Sequence, residues 1–143
     1  MSTARTIILF ALIFSWQLAT ADPQCPQPRF TGAAPDRFLQ MENPVPLNRA
    51  VLRAAKKLYL GKAEGQGCAI CHGSKGDGRG PLADSFDPPP RNFTCARTIN
   101  DIADGQLFWI VRYGSPGTSM PGHPQLRDTQ IWQLVHYLRH LAQ

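Results

Sequence analysis

Apolar residues recur at helical spacing in three segments of this chain. Residues 47–60 place their apolar residues on one face, and Gly61 follows as a helix stop. Residues 101–113 and 129–142 show the same periodicity, and Asp128 is placed to cap the last segment. The sequence has no strand-like alternation and no internal repeat, so we predict a small all-α fold with about three main helices and long loops.

The segments between these helices are predicted to be irregular. Residues 22–46 contain recurring prolines and no apolar periodicity, which predicts an extended arm. Residues 67–90 and 114–127 are rich in glycine and proline, which predicts loops apart from one turn at 68–72. The positions expected to face the core are Val51, Ala54, Ala55, Leu58, Ile102, Leu107, Phe108, Ile110, Val111, Ile131, Leu134, Val135, Leu138 and Leu141.

The amino-terminal segment has the three parts of a secretory signal peptide. Arg5 and the free amine supply positive charge, residues 7–18 are almost entirely apolar, and residues 19–21 form a small-x-small cleavage site. This apolar run is too short for a membrane-spanning helix, which needs about 20 residues. We therefore expect cleavage after Ala21, a periplasmic location and no stable membrane anchor. The predicted division is a signal peptide at 1–21, a proline-rich arm at 22–46 and a domain at 47–143.

The pentapeptide Cys-Ala-Ile-Cys-His at residues 68–72 is the strongest chemical signal in the chain. Two cysteines separated by two residues and followed directly by a histidine form the attachment motif of c-type haem. The spacing lets both thiols reach the vinyl groups along one edge of the porphyrin, and it places His72 to ligate the iron. We therefore predict one haem c, bound covalently through Cys68 and Cys71.

A Cys-x-x-Cys pair also occurs in zinc sites and in thioredoxin-like redox couples. Structural zinc needs two further ligands, typically in a second close pair, and Cys25 and Cys95 are far apart in the sequence. A redox couple is expected near a strand-helix-strand pattern, which the sequence does not show. The glycine-rich run at 73–80 has no preceding strand and no Lys-Ser/Thr ending, so it does not match a phosphate-binding loop.

Cys25 and Cys95 remain once haem has taken the other two thiols. In an oxidising compartment we prefer a disulfide between them, and closing so long a loop would contribute roughly 4 kcal/mol in the chain-entropy model. A buried free thiol at Cys95 and an intermolecular bridge through Cys25 are the alternatives. The disulfide would tie the proline-rich arm onto the domain.

The far side of the haem iron has a candidate ligand in Met120, within the Gly-Thr-Ser-Met-Pro segment at 117–121. A thioether suits low-spin iron, and His/Met ligation raises the reduction potential. His123 lies in the same loop and is the competing ligand, and bis-histidine ligation would lower the potential. Two histidines off the apolar stripe of the last helix are expected at the surface, His136 and His140.

Several of these blocks together resemble the class I monohaem cytochromes c of the bacterial periplasm. The matching blocks are Cys-His-Gly-x-x-Gly-x-Gly-x-Gly-Pro at 71–81, Asp-Gly at 104–105, Gly-Thr-x-Met-Pro at 117–121 and the closing helix around 131–138. The resemblance runs from about Arg49 to the end of the chain. It implies a small cytochrome c-type fold around one covalently bound haem, with His72 and Met120 as iron ligands.

The resemblance also implies contacts around the haem. The carbonyl of Pro81 would accept a hydrogen bond from the ring nitrogen of His72 that faces away from the iron, fixing the orientation and basicity of the ring. The first and last helices would cross near Leu58, Tyr59 and Tyr137. Candidate partners of the haem propionates are Arg91 and Trp109.

We therefore predict an electron-transfer protein without catalytic residues, either a periplasmic carrier or the cytochrome subunit of a redox complex. The net charge of +5 falls by one when Arg5 leaves with the signal peptide and by two more with ionised propionates, so it does not suggest nucleic-acid binding. The expected partners are redox proteins. Four cations lie in loops near the haem motif: Lys75, Arg79, Arg91 and Arg97. They would either steer an acidic partner toward the haem or serve only solubility. The alternative function is a haem enzyme or sensor in which a small molecule displaces Met120.

Overall fold

The computed structural model describes residues 25, 27, 31–63 and 67–143, and the regular structure within them is helical. The helices are α1 (Asp36–Leu39), α2 (Arg49–Tyr59), α3 (Ala69–His72), α4 (Ala96–Ile99), α5 (Asp104–Tyr113) and α6 (Asp128–Leu141), with a 3₁₀ turn at Ala83–Ser85. Within these residues the β pairing consists of one isolated bridge between Gly114 and Pro121. The predicted all-α fold is confirmed.

The three long helices follow the predicted apolar periodicity, with differences at their first residues. The side chain of Asn48 accepts a hydrogen bond of 3.0 Å from the Val51 N–H and so caps α2. The prediction that Asp128 caps the last helix is wrong, because Asp128 is already helical. Its carboxylate instead lies in the first turn, where negative charge is favourable. The N–H of Arg127 donates to Gln130 Oε1 at 2.8 Å.

The predicted helix at 101–113 is shorter in the structure, where α5 begins at Asp104 and α4 forms a separate turn before it. Arg139 of α6 explains the break between them. Its guanidinium donates to the carbonyl oxygens of Ile99 and Ile102 and to the carboxylate of Asp104. These carbonyls therefore bond to α6 rather than continuing one long helix.

The core lies where α2 and α6 cross and where α5 packs against α6. The rings of Tyr59 and Tyr137 are 5.2 Å apart, which confirms the predicted crossing point of the first and last helices. Phe108 of α5 packs on Trp132 of α6 with ring centroids 4.5 Å apart. An ion pair also joins α5 to α6, because Arg112 donates to the carboxylate of Asp128. Arg112 donates as well to the Leu126 carbonyl, at 2.6 Å.

The proline-rich arm packs on this domain over residues 31–46. The prediction that the arm contains no helix is wrong for one turn, α1, which places Phe38 against Phe108 with ring centroids 6.3 Å apart. The Ala34 N–H donates to Gln106 Oε1 at 2.7 Å. Both Ala34 and Phe38 are part of the hydrophobic core cluster, so the arm supplies part of the core.

One histidine on α6 also contacts the arm. His136 was expected at the surface, but it is half-buried and its Nε2 atom lies 2.6 Å from the Val45 carbonyl oxygen. The arm packs on this side of α6 and partly buries His136, which the apolar pattern of the helix alone does not predict. His140 is exposed as expected. Among the described residues, no helix is long and apolar enough to cross a membrane.

Gly105 makes the arm's approach to α5 possible. A Cβ atom at this position would lie 1.6 Å from the Phe38 carbonyl oxygen, which is backbone and cannot rotate away. We expect Gly105→Ala to lower the free energy of unfolding by about 1–3 kcal/mol, because overpacking displaces the arm even though alanine favours helix. Chemical denaturation followed by circular dichroism measures this loss.

Gly32→Ala is the matched control for Gly105→Ala. Its added Cβ would meet the Pro116 ring at 3.5 Å, which is ordinary van der Waals contact in the same arm. We expect this variant to keep the wild-type free energy of unfolding within about 0.5 kcal/mol. Equal stability of the Gly105→Ala and wild-type proteins would contradict the tight packing of the arm.

Candidate haem site

The last four residues of the predicted haem motif form the short helix α3, Cys68 directly precedes it, and the motif lies on one wall of an apolar cavity. The N–H of His72 donates to the Cys68 carbonyl at 2.9 Å, and Gly73 ends the helix with a φ of 79°. The turn therefore projects both thiols and the imidazole from adjacent positions. All three side chains line the same cavity, as the haem interpretation requires.

His72 is buried, and its ring is held from two sides. It stacks on the ring of Phe93 with centroids 4.4 Å apart and planes 23° apart. Its Nδ1 atom lies 3.0 Å from the carbonyl oxygen of Arg91. In this structure the ring nitrogen predicted to bond to Pro81 therefore contacts another carbonyl, and the bond to Pro81 stays a prediction.

Pro81 lies between two residues that bond to the haem-binding turn. The N–H of Gly80 donates to the Cys71 carbonyl at 3.0 Å, and the N–H of Leu82 donates to the Ile70 carbonyl at 3.0 Å. A Cβ on Gly80 would lie 2.4 Å from the Ile70 carbonyl oxygen. The glycine-rich run thus allows the loop to pack directly on the turn, which is a structural role rather than phosphate binding.

The two thiols of the motif are partly buried. Burial raises the pKa of Cys68 to about 11 and also raises the pKa of Cys71. Both are therefore neutral thiols at pH 7, whereas the reactive cysteine of a thioredoxin-like couple has a lowered pKa. This difference argues against a thioredoxin-like redox couple. Among the described residues, no group of three or more His, Cys, Asp and Glu side chains is arranged to hold a metal ion.

The loop between α5 and α6 brings Met120 to the same cavity. The Ser115 N–H donates to the Met120 carbonyl at 3.2 Å, and the Met120 N–H donates to Thr118 Oγ1 at 3.2 Å. The adjacent bridge between Gly114 and Pro121 closes the base of this loop. Met120 is therefore presented by a hydrogen-bonded turn.

His123 also lines the cavity, so lining alone does not separate the two candidate ligands. Its N–H donates to the Val111 carbonyl at 2.9 Å, and its Nδ1 atom lies 3.4 Å from Gln125 Nε2. Burial lowers the pKa of His123, which favours the neutral ring. A ligating imidazole commonly bonds elsewhere through its other ring nitrogen, so the contact with Gln125 leaves His123 as a competing ligand, and the preference for Met120 rests on the resemblance of its segment to the cytochrome c pattern.

The cavity fits a porphyrin in its chemistry. Its empty space, including the part open to solvent, is about 1360 Å³. Two thiols and an imidazole line one wall, and a thioether lies on the loop that contributes to the rest. Most of the remaining lining is apolar, as a buried macrocycle requires. These side chains include Phe86, Ile102, Leu107, Ile110, Leu134 and Leu138.

The two predicted partners of the haem propionates are placed differently. Arg91 lines the cavity, and its side chain bonds to the arm through Gln27 and Thr31. Trp109 packs against the core, with its ring 6.2 Å from that of Tyr113. The structure thus brings Arg91 to the haem cavity.

Cys25 and Cys95 form a disulfide in the structure, with their Cα atoms 5.6 Å apart. The preferred pairing is therefore confirmed, and the buried Cys95 is not a free thiol. This bond joins the arm to the residue that precedes α4. It also brings Gln27 to the segment beside the haem motif, a placement that the sequence patterns did not predict. The pairing itself was the signal that pointed to this contact.

A helical domain whose Cys-x-x-Cys-His turn lines an apolar cavity defines a protein that binds haem covalently. The sequence model of the family described as cytochrome c matches residues 52–142. The chain belongs to the cytochrome c family, which implies covalently bound haem c, and it carries the two required cysteines, Cys68 and Cys71.

Comparison with curated proteins gives no match. Among solved structures, the chain is similar to one chain of the Kuenenia stuttgartiensis reducing HAO-like protein complex Kustc0457/Kustc0458. The two share 30% sequence identity over 72% of this chain, with a TM-score of 0.57. The match covers 50% of the other chain, so the present chain corresponds to about half of it.

Proposed function

We propose that this protein is a periplasmic electron carrier, or the cytochrome subunit of a redox complex, with one haem c. Cys68 and Cys71 attach the haem, and His72 and Met120 ligate its iron. The observation that carries this proposal is the apolar cavity in which the attachment turn and the methionine loop meet. The signal peptide predicted at residues 1–21 lies outside the described residues and supports the proposed location.

The bound haem supplies the chemistry, a one-electron change of the iron between ferric and ferrous. The protein controls how easily this change occurs. Retention of His72 and Met120 in both states avoids large rearrangement, and the thioether favours a higher reduction potential. Stacking on Phe93 holds His72 in place. His72 and Met120 would together hold the iron, and ligation by two side chains would favour electron transfer over small-molecule binding.

Redox proteins are the proposed partners. The similar chain belongs to a complex described as a reducing HAO-like protein complex, and this similarity supports assembly of the present chain with a redox protein. Lys75 and Arg79 are exposed in the loop that packs on the haem-binding turn. These charges would steer an acidic surface toward the haem, with an association rate that falls as salt rises.

The experiment that tests the proposed function combines haem staining with a redox titration of the purified, exported protein. We expect a haem-stained band that survives denaturation, because the thiols bind haem covalently, and one reversible one-electron transition in the visible spectrum. We also expect slow and incomplete reaction of the reduced protein with carbon monoxide.

The alternative enzyme or sensor function gives a different result in the same experiment. Rapid and complete formation of a carbon monoxide adduct under native conditions would show that Met120 does not hold the sixth position. This result would contradict the carrier proposal while leaving haem attachment intact. Absence of any covalently bound haem would contradict both functions.

A further inference from the structure

Gln27 connects the arm to the segment beside the haem motif through four hydrogen bonds. Its side-chain Oε1 accepts from the Asn92 N–H at 2.7 Å, and its Nε2 donates to the Pro90 carbonyl at 3.4 Å. Its carbonyl accepts from Arg91 Nη1 at 3.0 Å, and its N–H donates to Thr98 Oγ1 at 3.3 Å. One arm residue therefore bonds to three consecutive residues of the domain, 90–92.

The disulfide anchors this contact covalently. Cys25 lies two residues before Gln27, and it is bonded to Cys95, three residues after Asn92. The carbonyl of Cys25 also accepts a hydrogen bond of 2.9 Å from Arg97. A covalent bond so close in the chain keeps Gln27 near its partners and lowers the entropy lost in ordering the contact.

Arg91 connects the arm to the haem site, because it contacts both Gln27 and His72. Its carbonyl oxygen lies 3.0 Å from His72 Nδ1, and its guanidinium donates to Thr31, which lines the haem cavity together with Arg91. The guanidinium has five N–H donors, and two of its nitrogens donate to the arm, one to Gln27 and one to Thr31 Oγ1 at 2.8 Å. The arm thus fixes the position of a permanent positive charge beside the cavity.

We propose that Gln27 and the Cys25–Cys95 disulfide are positioning elements that hold the Arg91 guanidinium at the haem cavity and thereby raise the haem reduction potential. This inference rests on the proposed function. Ferrous haem carries one positive charge fewer than ferric haem, so a fixed cation beside it favours the ferrous state. When the arm is released, the Arg91 guanidinium loses its hydrogen bonds to Gln27 and Thr31, and water that takes their place screens its charge.

Redox titration of the haem-loaded protein tests this role, starting with Arg91→Gln and Gln27→Ala. We expect Arg91→Gln to lower the midpoint potential because it removes the charge. Gln27→Ala should lower it because the side-chain bonds to Pro90 and Asn92 are lost, and these bonds hold the Gln27 carbonyl that accepts from Arg91. The expected shift of the ferric-to-ferrous equilibrium is up to about tenfold, which corresponds to 59 mV for a one-electron couple. The Cys25→Ala/Cys95→Ala variant should give a shift in the same direction, because it removes the covalent anchor.

A double-mutant cycle separates this path from a general effect of the arm. In the Arg91→Gln background, Gln27→Ala should cause no further fall in the potential, since the charge it positions is absent. Asn43→Ala is the matched control, because Asn43 Nδ2 also ties the arm to the domain, at 2.9 Å from the Trp132 carbonyl oxygen. This control should destabilise the arm without changing the potential.

Three results would contradict this inference and leave the proposed function intact. These are an unchanged potential in Gln27→Ala, an equal fall with and without the Arg91 side chain, or an equal fall in Asn43→Ala. Redox titration of the wild-type protein separates these results from a failure of the proposed function. If wild-type protein shows no reversible one-electron couple, the proposed function fails and this inference fails with it.

Discussion

Replacement of Cys68 and Cys71 by alanine should abolish covalent haem attachment. Both thiols lie on the turn that lines the cavity, and in the described part of the chain the other cysteines are joined to each other. We expect complete loss of the haem-stained band after denaturation. The yield of folded protein should also fall, because the cavity then lacks the group that fills it and its apolar lining loses packing contacts.

Cys25→Ala/Cys95→Ala is the matched control for this experiment, since it also changes two cysteines to alanine. It removes a disulfide outside the haem cavity, so the haem-stained band should persist. This control should instead lower the free energy of unfolding, by roughly 2–5 kcal/mol for loss of a native disulfide. A haem-stained band in the Cys68→Ala/Cys71→Ala protein would contradict the assigned attachment site.

The parts of the fold that depend on local patterns could be predicted from the sequence. The apolar periodicity of α2, α5 and α6 is strong because each helix buries one face against the others. The haem-binding turn is predictable for a similar reason, since its chemistry requires three reactive residues at fixed, short spacing. Met120 could be singled out as a candidate ligand because the sequence has only three methionines.

The arm could not be predicted in the same way, because its contacts have no period. Gln27 bonds to partners more than 60 positions away, and the sequence signals this only through the nearby Cys25, whose expected pairing with Cys95 ties the arm to the domain. Phe38 is an apolar residue in a proline-rich segment, and its burial depends on the absence of a side chain at Gly105. Long-range polar contacts and close backbone approaches of this kind are visible only in three dimensions.

The ends of the helices show a related ambiguity. An aspartate at the start of an apolar pattern favours both the capping position and the first turn, so Asp128 fits either. The structure places it in the first turn, where it also accepts a bond from Arg112. Similarly, α4 and α5 are separate because Arg139 donates to carbonyls between them, although the apolar periodicity continues through this segment.

Met120→Ala should leave the haem covalently attached and change its ligand set. The attachment turn and His72 lie on a different segment, so haem staining should match wild type. Loss of the thioether should lower the reduction potential by about 0.1 V or more, within the roughly 0.8 V range over which axial ligands tune haem. The reduced protein should also bind carbon monoxide rapidly, because the sixth position is no longer held by a side chain.

Two further variants make this ligand assignment specific. Met41→Ala removes the same kind of side chain from the arm, where Met41 packs against the core, and it should leave the potential and the carbon monoxide reaction unchanged. His123→Ala should retain the wild-type spectrum, although His123 lines the same cavity. If His123→Ala instead opened the iron while Met120→Ala did nothing, the ligand would be the imidazole. The carrier would then work at a lower potential, because bis-histidine ligation lacks the thioether that raises it.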